Sequence, residues 1–155
     1  LAPALGAAPG AVILRSDEIR KRQAGLAPTE RAPASAYTAL ADTAVFDEFF
    51  GLAETLLKAG RAVVLDATFL RPETRARAKA AATAAGAPFH GLWLEAPAAV
   101  LEARVAGRTG DASDADLPVL RDQLARDPGA MDWRVLDAAR PAAATAGDWL
   151  AEFSR

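Results

Sequence analysis

"AVILRSDEIRKR" (Ala11–Arg22) sets the reading of the whole chain. The apolar residues Ala11–Leu14 pass without a break into Arg15, Ser16, Asp17 and Glu18, and a basic cluster follows. A short apolar run without alternation is the pattern of a strand buried on both faces, as in a parallel sheet. A carboxylate placed directly after it stands at the carboxyl end of the strand, where open α/β sheets hold ligands. Asp17 can also cap the helix that follows, which runs through Gln23 and ends at Gly25.

The same pattern recurs downstream. "AVVLDAT" (Ala62–Thr68) is apolar, too short for a helix, and closes on Asp66. "FHGLWLEA" (Phe89–Ala96) reads as a third strand and "WRVLDA" (Trp133–Ala138) as a fourth. Helical patterns lie between them. Residues 37–59 place Phe46, Phe49, Phe50, Ala53, Leu56 and Leu57 at spacings of three and four, with Asp47, Glu48, Glu54 and Lys58 opposite. Pro72 opens a helix that ends before Gly86, and Pro97 opens one that reaches about Gly107. Helices are also expected after Pro118 to about Arg126 and from Ala142 to Phe153, and Leu1–Leu5 reads as a helix tail stopped by Gly6. Strands alternating with helices predict an α/β fold on a parallel sheet.

Composition narrows the function classes. A chain of 155 residues is one domain on length alone, and 52% hydrophobic with 25% charged residues is an ordinary globular balance. A net charge of −2 excludes a global basic field for nucleic acid and leaves room for a local basic cleft. The absence of cysteine excludes disulfides and thiolate metal sites, in keeping with a cytoplasmic protein. Leu1–Leu14 carries no charge, but Pro3, Gly6, Pro9 and Gly10 break it and no basic segment precedes it, so it is not read as a targeting segment.

Several residues could carry chemistry. Asp17 and Asp66 each follow a strand. Arg20 lies one turn beyond Asp17, so the two can pair as a base with an anion holder or as a surface ion pair of little energy. Arg104 and Arg108 are four apart, where a helix gives way to "RTGDASDADLP" (Arg108–Pro118). They read as basic residues suited to a helix C-terminus or as a double-arginine lid over phosphates, spanning about 104–118. "DATF" (Asp66–Phe69) invites comparison with haloacid-dehalogenase-type phosphatases, but Thr68 stands where their second Asp is needed. His90 is the sole histidine, and Trp93, Trp133 and Trp149 are too scattered for a stacking platform.

"VILRSDEIRKR", "GRAVVLDATFLRPETRARA", "WLEAPAAVLEARVAGRTGDASDA" and "LRDQLAR" occur in that order over nearly the whole chain. As an ordered set they resemble the P-loop kinase group that includes phage polynucleotide kinase. The resemblance is closest to the kinase domain found fused to aminoglycoside-phosphotransferase-like domains. It implies a three-layer parallel sheet of strand order 2-3-1-4-5, ATP and Mg²⁺ as cofactors, and transfer of the γ-phosphoryl group to a small-molecule or nucleic-acid-end hydroxyl. It assigns Asp17 to the acceptor hydroxyl and Arg20 to an acceptor phosphate. Asp66 would orient Arg20 or metal-bound waters, and Arg104 and Arg108 would be lid arginines on ATP, Arg108 with a catalytic role. No protein metal ligand is assigned. Phosphoryl transfer through a loose transition state relies on positioning and charge stabilisation, which such residues supply.

One departure shapes the expectation. The loop G-x-x-x-x-G-K-[ST], whose amides and lysine cradle phosphates, is nowhere in the sequence. The chain is therefore expected to be an N-terminally truncated single domain. The central first strand, the loop and the start of its helix, roughly twenty residues in all, would precede Leu1. The strands at 62–68 and 89–95 should then flank a gap. The alternative is a non-catalytic α/β interaction module that has lost nucleotide binding.

Overall fold

The computed structural model describes residues 5, 8–108 and 110–153, without the side chains of residues 148, 152 and 153. The helix tail expected at Leu1–Leu5 falls outside the described residues, apart from Leu5. The order is β1 (Val12–Arg15), α1 (Ser16–Gln23), a 3₁₀ turn (Ala34–Tyr37), α2 (Ala39–Lys58), β2 (Val63–Asp66) and α3 (Pro72–Ala84). Then come β3 (Leu92–Glu95), α4 (Ala98–Gly107), α5 (Leu117–Ala125), β4 (Arg134–Asp137) and α6 (Ala142–Phe153). The α/β alternation with parallel strands is the one expected from the sequence.

All pairing is parallel. β1 lies beside β2 in the register Val12↔Val63 to Arg15↔Asp66, and β3 beside β4 in the register Leu92↔Arg134 to Glu95↔Asp137. These are the 2-3 and 4-5 neighbours of the expected order. Among the described residues no ladder joins β2 to β3, so there are two two-stranded sheets.

Local chemistry sets the helix ends. The Thr38 hydroxyl accepts from the Ala41 amide at 3.2 Å and starts α2 two residues later than expected. At its other end Gly60, at φ +75°, lets the amides of Gly60 and Arg61 turn back to Leu57 and Leu56. Asp17 does not cap α1. The N-cap is Arg15, with no side-chain cap, and Asp17 sits inside the first turn.

Strands are shorter than the apolar runs that announce them. β2 stops at Asp66 because the chain turns through Phe69, a non-glycine residue at φ +48°. β3 starts at Leu92 because Gly91 lies under the Trp133 ring, where a Cβ would come within 2.4 Å of Cγ.

The core lies where α2 packs against α1 and α3. Ile19, Val45, Phe46, Phe49, Phe50, Phe69, Ala78 and Ala81 are buried there. An aromatic row runs from it across the unpaired gap. The Phe49 and Phe69 ring centroids are 6.2 Å apart, Phe69 and Trp133 4.9 Å, and Trp133 and Phe89 5.7 Å.

Beside the row sits Arg75 on α3, 3% exposed. Its Nη1 donates to the carbonyls of Phe69 (2.8 Å) and Leu70 (3.2 Å). Its Nη2 donates to those of Pro128 (2.6 Å) and Ala130 (3.0 Å). One guanidinium thus ties the turn after β2 to the loop before β4. Each buried acceptor left without a donor costs about 1–3 kcal/mol. Arg75→Leu is therefore expected to lower unfolding free energy by about 1–3 kcal/mol, measured by urea denaturation. A loss below 1 kcal/mol would show that the aromatic row alone holds the two halves.

Candidate functional site

The carboxyl ends of β1 and β2 meet at Arg15 and Asp66, which are register partners. Arg15 closes β1, and its guanidinium forks. Nε donates to Asp66 Oδ2 at 2.9 Å and Nη2 to Asp111 Oδ1 at 2.7 Å. Glu18 lies 3.8 Å from Nη1. The hydrogen bond from Arg15 holds the Asp111 carboxyl below its usual range against the opposing effect of burial. This fork fastens the loop after α4 across the ends of both strands.

Asp17 lies just beyond, half-buried. Burial pushes its carboxyl above the ordinary range, against the nearby Ser113 hydroxyl and the positive charges of Arg20 and Arg15. The adjacent charge of Asp66 adds to the upward shift. Asp17 is therefore a stronger base than its proximity to two arginines suggests, because neither arginine is committed to it.

Arg20 is committed elsewhere. It is 7% exposed, with Nη1 2.8 Å from Asp42 Oδ1 and 2.6 Å from the Ala36 carbonyl, and its guanidinium lies 4.8 Å from the Tyr37 ring centre. Its Nε is buried without a hydrogen-bond partner. Asp66 pairs with Arg15 and not with Arg20, so the orientation expected between Asp66 and Arg20 is replaced by the Arg15 fork.

The two lid arginines part company. Arg104, exposed on α4, donates to the carbonyls of Ala138 (2.6 Å) and Ala139 (3.3 Å) after β4. Arg108 caps α4, donates to the Ala115 carbonyl at 2.6 Å and lies 3.7 Å from Asp111. Only Arg108 thus shares the loop that Arg15 fastens through Asp111.

That loop, Gly110–Asp116, holds charged residues that its composition does not distinguish from an ordinary polar loop. Asp114 Oδ1 is 2.9 Å from the Lys21 ammonium, and Oδ2 accepts from the Ala32 amide (2.8 Å) and the Tyr37 hydroxyl (2.9 Å). Burial opposes the charge on Asp114, but the Ala32 amide, Lys21 and Tyr37 outweigh it and hold the carboxyl low. The Tyr37 hydroxyl is driven well above its ordinary range, by burial first and by Asp114 second. Lys21 is 1% exposed, and its other partner is the Pro28 carbonyl at 3.0 Å. Asp116 takes Arg31 at 2.9 Å. The signal available in the sequence was charge complementarity, "RSDEIRKR" against "DASDAD".

Other features lie apart from this cluster. A cavity of about 750 Å³ opens between the ends of β3 and β4 and helices α4 and α5, lined among others by Trp93, Glu95, Leu101, Leu124 and Asp137. None of Asp17, Arg20, Asp66, Arg104 and Arg108 lines it. His90 is exposed, with its ring 6.1 Å from that of Trp149. No helix among the described residues is long and apolar enough to cross a membrane.

A model of the AAA domain family matches residues 1–127. The chain belongs to the AAA domain family. None of the curated proteins matches it. Among solved structures, a gluconokinase from Sinorhizobium meliloti 1021 is similar to this AAA domain at a TM-score of 0.57 and 21% identity. The likeness covers 94% of this chain and 78% of that one, and it is a likeness of fold.

Among the described residues no three His, Asp or Glu side chains gather as metal ligands, and both lid arginines are engaged by backbone carbonyls.

A carboxyl whose pKa is raised on folding contributes stability below its unfolded value, and this is lost as pH rises through the folded value. At neutral pH the buried charge of Asp17 therefore opposes folding. Asp17→Asn is expected to raise Tm at pH 7, by about 2–4 °C per kcal/mol in a domain of this size, and to leave it unchanged at pH 3. A lower Tm at pH 7 would make Asp17 a structural carboxylate.

Proposed function

We propose that this AAA domain is the acceptor-side part of an ATP-dependent kinase that phosphorylates a hydroxyl group. The observation that carries the reading is Asp17, a half-buried carboxylate just beyond the end of β1, beside the Arg15–Asp66 pair at the carboxyl ends of two parallel strands. A carboxylate so placed orients an acceptor hydroxyl and takes its proton as the O–P bond forms. When bound, ATP with Mg²⁺ supplies the phosphoryl group. The fold neighbour's name, a gluconokinase, is in keeping with this class of reaction.

In this proposal the phosphate loop and a central strand between β2 and β3 come from outside residues 1–155. The unjoined edges of the two sheets and the absence of G-x-x-x-x-G-K-[ST] support that assignment. Arg108 is given to the donor phosphates on release from Ala115, and Arg104 remains a donor-side residue. Arg20 remains an acceptor-side residue, with its Nε buried and unpartnered. Asp66 acts on the site through Arg15. Membership of the polynucleotide-kinase-like group, a fused aminoglycoside-phosphotransferase-like partner domain and a cytoplasmic setting belong to the same proposal.

The engagement of both lid arginines by backbone carbonyls favours a second reading, a non-catalytic interaction module. Phosphoryl transfer from ATP to a panel of hydroxylated metabolites, assayed on the full-length protein, separates the two. Asp17→Asn is expected to lower kcat by about 10²–10⁴-fold with little change in the KM for ATP. It should also remove an acid limb of the pH profile that lies above the ordinary carboxylate range. An unchanged kcat would take Asp17 out of the reaction. Residues 1–155 alone are expected to bind Mg·ATP weakly in calorimetry, and micromolar affinity would place a donor site within them.

A further inference from the structure

The loop Gly110–Asp116 lies as a strap across the end of β1, and one arginine sits under its first residues. Arg15 closes β1 two residues before Asp17. Carboxylates reach its guanidinium from three places: Asp66 at the end of β2 (2.9 Å), Asp111 in the strap (2.7 Å) and Glu18 in α1 (3.8 Å). Asp111 in turn lies between two arginines. Its Oδ1 accepts from Arg15, and its Oδ2 is 3.7 Å from Arg108 Nη1. Charges thus alternate from Asp66 through Arg15 and Asp111 to Arg108.

The signs of these charges matter more than the individual bonds. Three carboxylates gather around Arg15, and like charges at such spacing repel. With residue 15 neutral, Asp111 would face Asp66 and Glu18 with no cation between them. Asp114 on Lys21 and Asp116 on Arg31 hold the far part of the strap, and neither pair includes Arg108. Arg108 itself is held by the Ala115 carbonyl at 2.6 Å and by Asp111. Of these two contacts only Asp111 is tied to a strand end. Ion pairs this exposed add little to folding energy, so the arrangement serves placement.

We propose that Arg15 is a positioning residue: through Asp111 it fixes Arg108 at the carboxyl ends of β1 and β2, where Asp17 also stands. The proposal rests on the kinase reading for what Arg108 does there, while the placement itself requires no nucleotide. Arginine suits the task because its Nε and Nη2 go to different partners. One planar group therefore sets Asp111 against Asp66. Lysine would supply the charge without the fork. Asp111 is the second member of the device, since it is the carboxylate that Arg15 and Arg108 share.

Kinetics and hydrogen exchange of the full-length protein test it, with the acceptor selected from the metabolite panel. Arg15→Gln and Asp111→Asn are each expected to lower kcat about tenfold or more, with the KM for ATP and for the acceptor changed by less than about twofold. In an Arg108→Ala background, Arg15→Gln should cost less than about twofold further, because its effect passes through Arg108. Without nucleotide, Arg15→Gln should speed exchange of the amides at 110–113 severalfold, and Arg15→Lys should do so less. Losses that multiply in the double variant overturn the proposal. An unchanged kcat in Asp111→Asn does so too, whether or not Arg15→Gln folds. Unaltered exchange in both Arg15→Gln and Asp111→Asn also overturns it. Absence of ATP turnover in the wild type counts against the kinase reading, and the exchange readout then decides by itself whether Arg15 holds the strap.

Discussion

The Arg75 guanidinium carries the burden that backbone pairing carries in a continuous sheet. β2 and β3 share no ladder among the described residues, so side chains must hold their halves together. Arg75 does so with four carbonyls, two from each side of the gap, and the row from Phe49 through Phe69 to Trp133 and Phe89 runs alongside. A planar five-donor group suits the task, since it bonds several carbonyls at once and cannot lose its charge. The left-handed backbone at Phe69 is held in this setting, with its ring between two aromatics and its carbonyl on Arg75.

A second arginine plays the matching part at the candidate site. Arg15 links β1, β2 and the strap with three carboxylates, and Lys21 and Arg31 take the next two. Of the cations that "RSDEIRKR" displays in sequence, Arg15 and Lys21 are met by the acidic loop 110–116, Arg20 by Asp42 and Arg22 by Glu48. A chain with net charge −2 can hold a cationic pocket in this way without presenting a basic surface.

Much of this was legible in the sequence. Four apolar runs, each closing on or near a carboxylate, gave the parallel strands, and glycine and proline gave most helix ends. Asp17 was legible because its place depends only on where β1 stops. The partners of the arginines were not. Arg20 and Asp17 have helical spacing for contact, but Asp42 enters from α2 and takes the guanidinium. Arg15 finds Asp111 across 96 positions, and Lys21 finds Asp114. Such pairs depend on how far a loop reaches in three dimensions, which local periodicity does not encode. The strap carries its acidic residues in a pattern that also suits an ordinary solvated loop.

Trp133 has a consequence of an optical kind. Its indole lies against Phe69 from one half, Phe89 from the other, and the bare backbone of Gly91. Trp93 places its indole N–H on Glu95 at 3.1 Å, and Trp149 lies near His90, so each of the three tryptophans has a different polarity around it. With Trp93 and Trp149 replaced by Phe, the emission of Trp133 becomes a gauge of the seam between the two sheets, and a shift to longer wavelength marks water entering that seam.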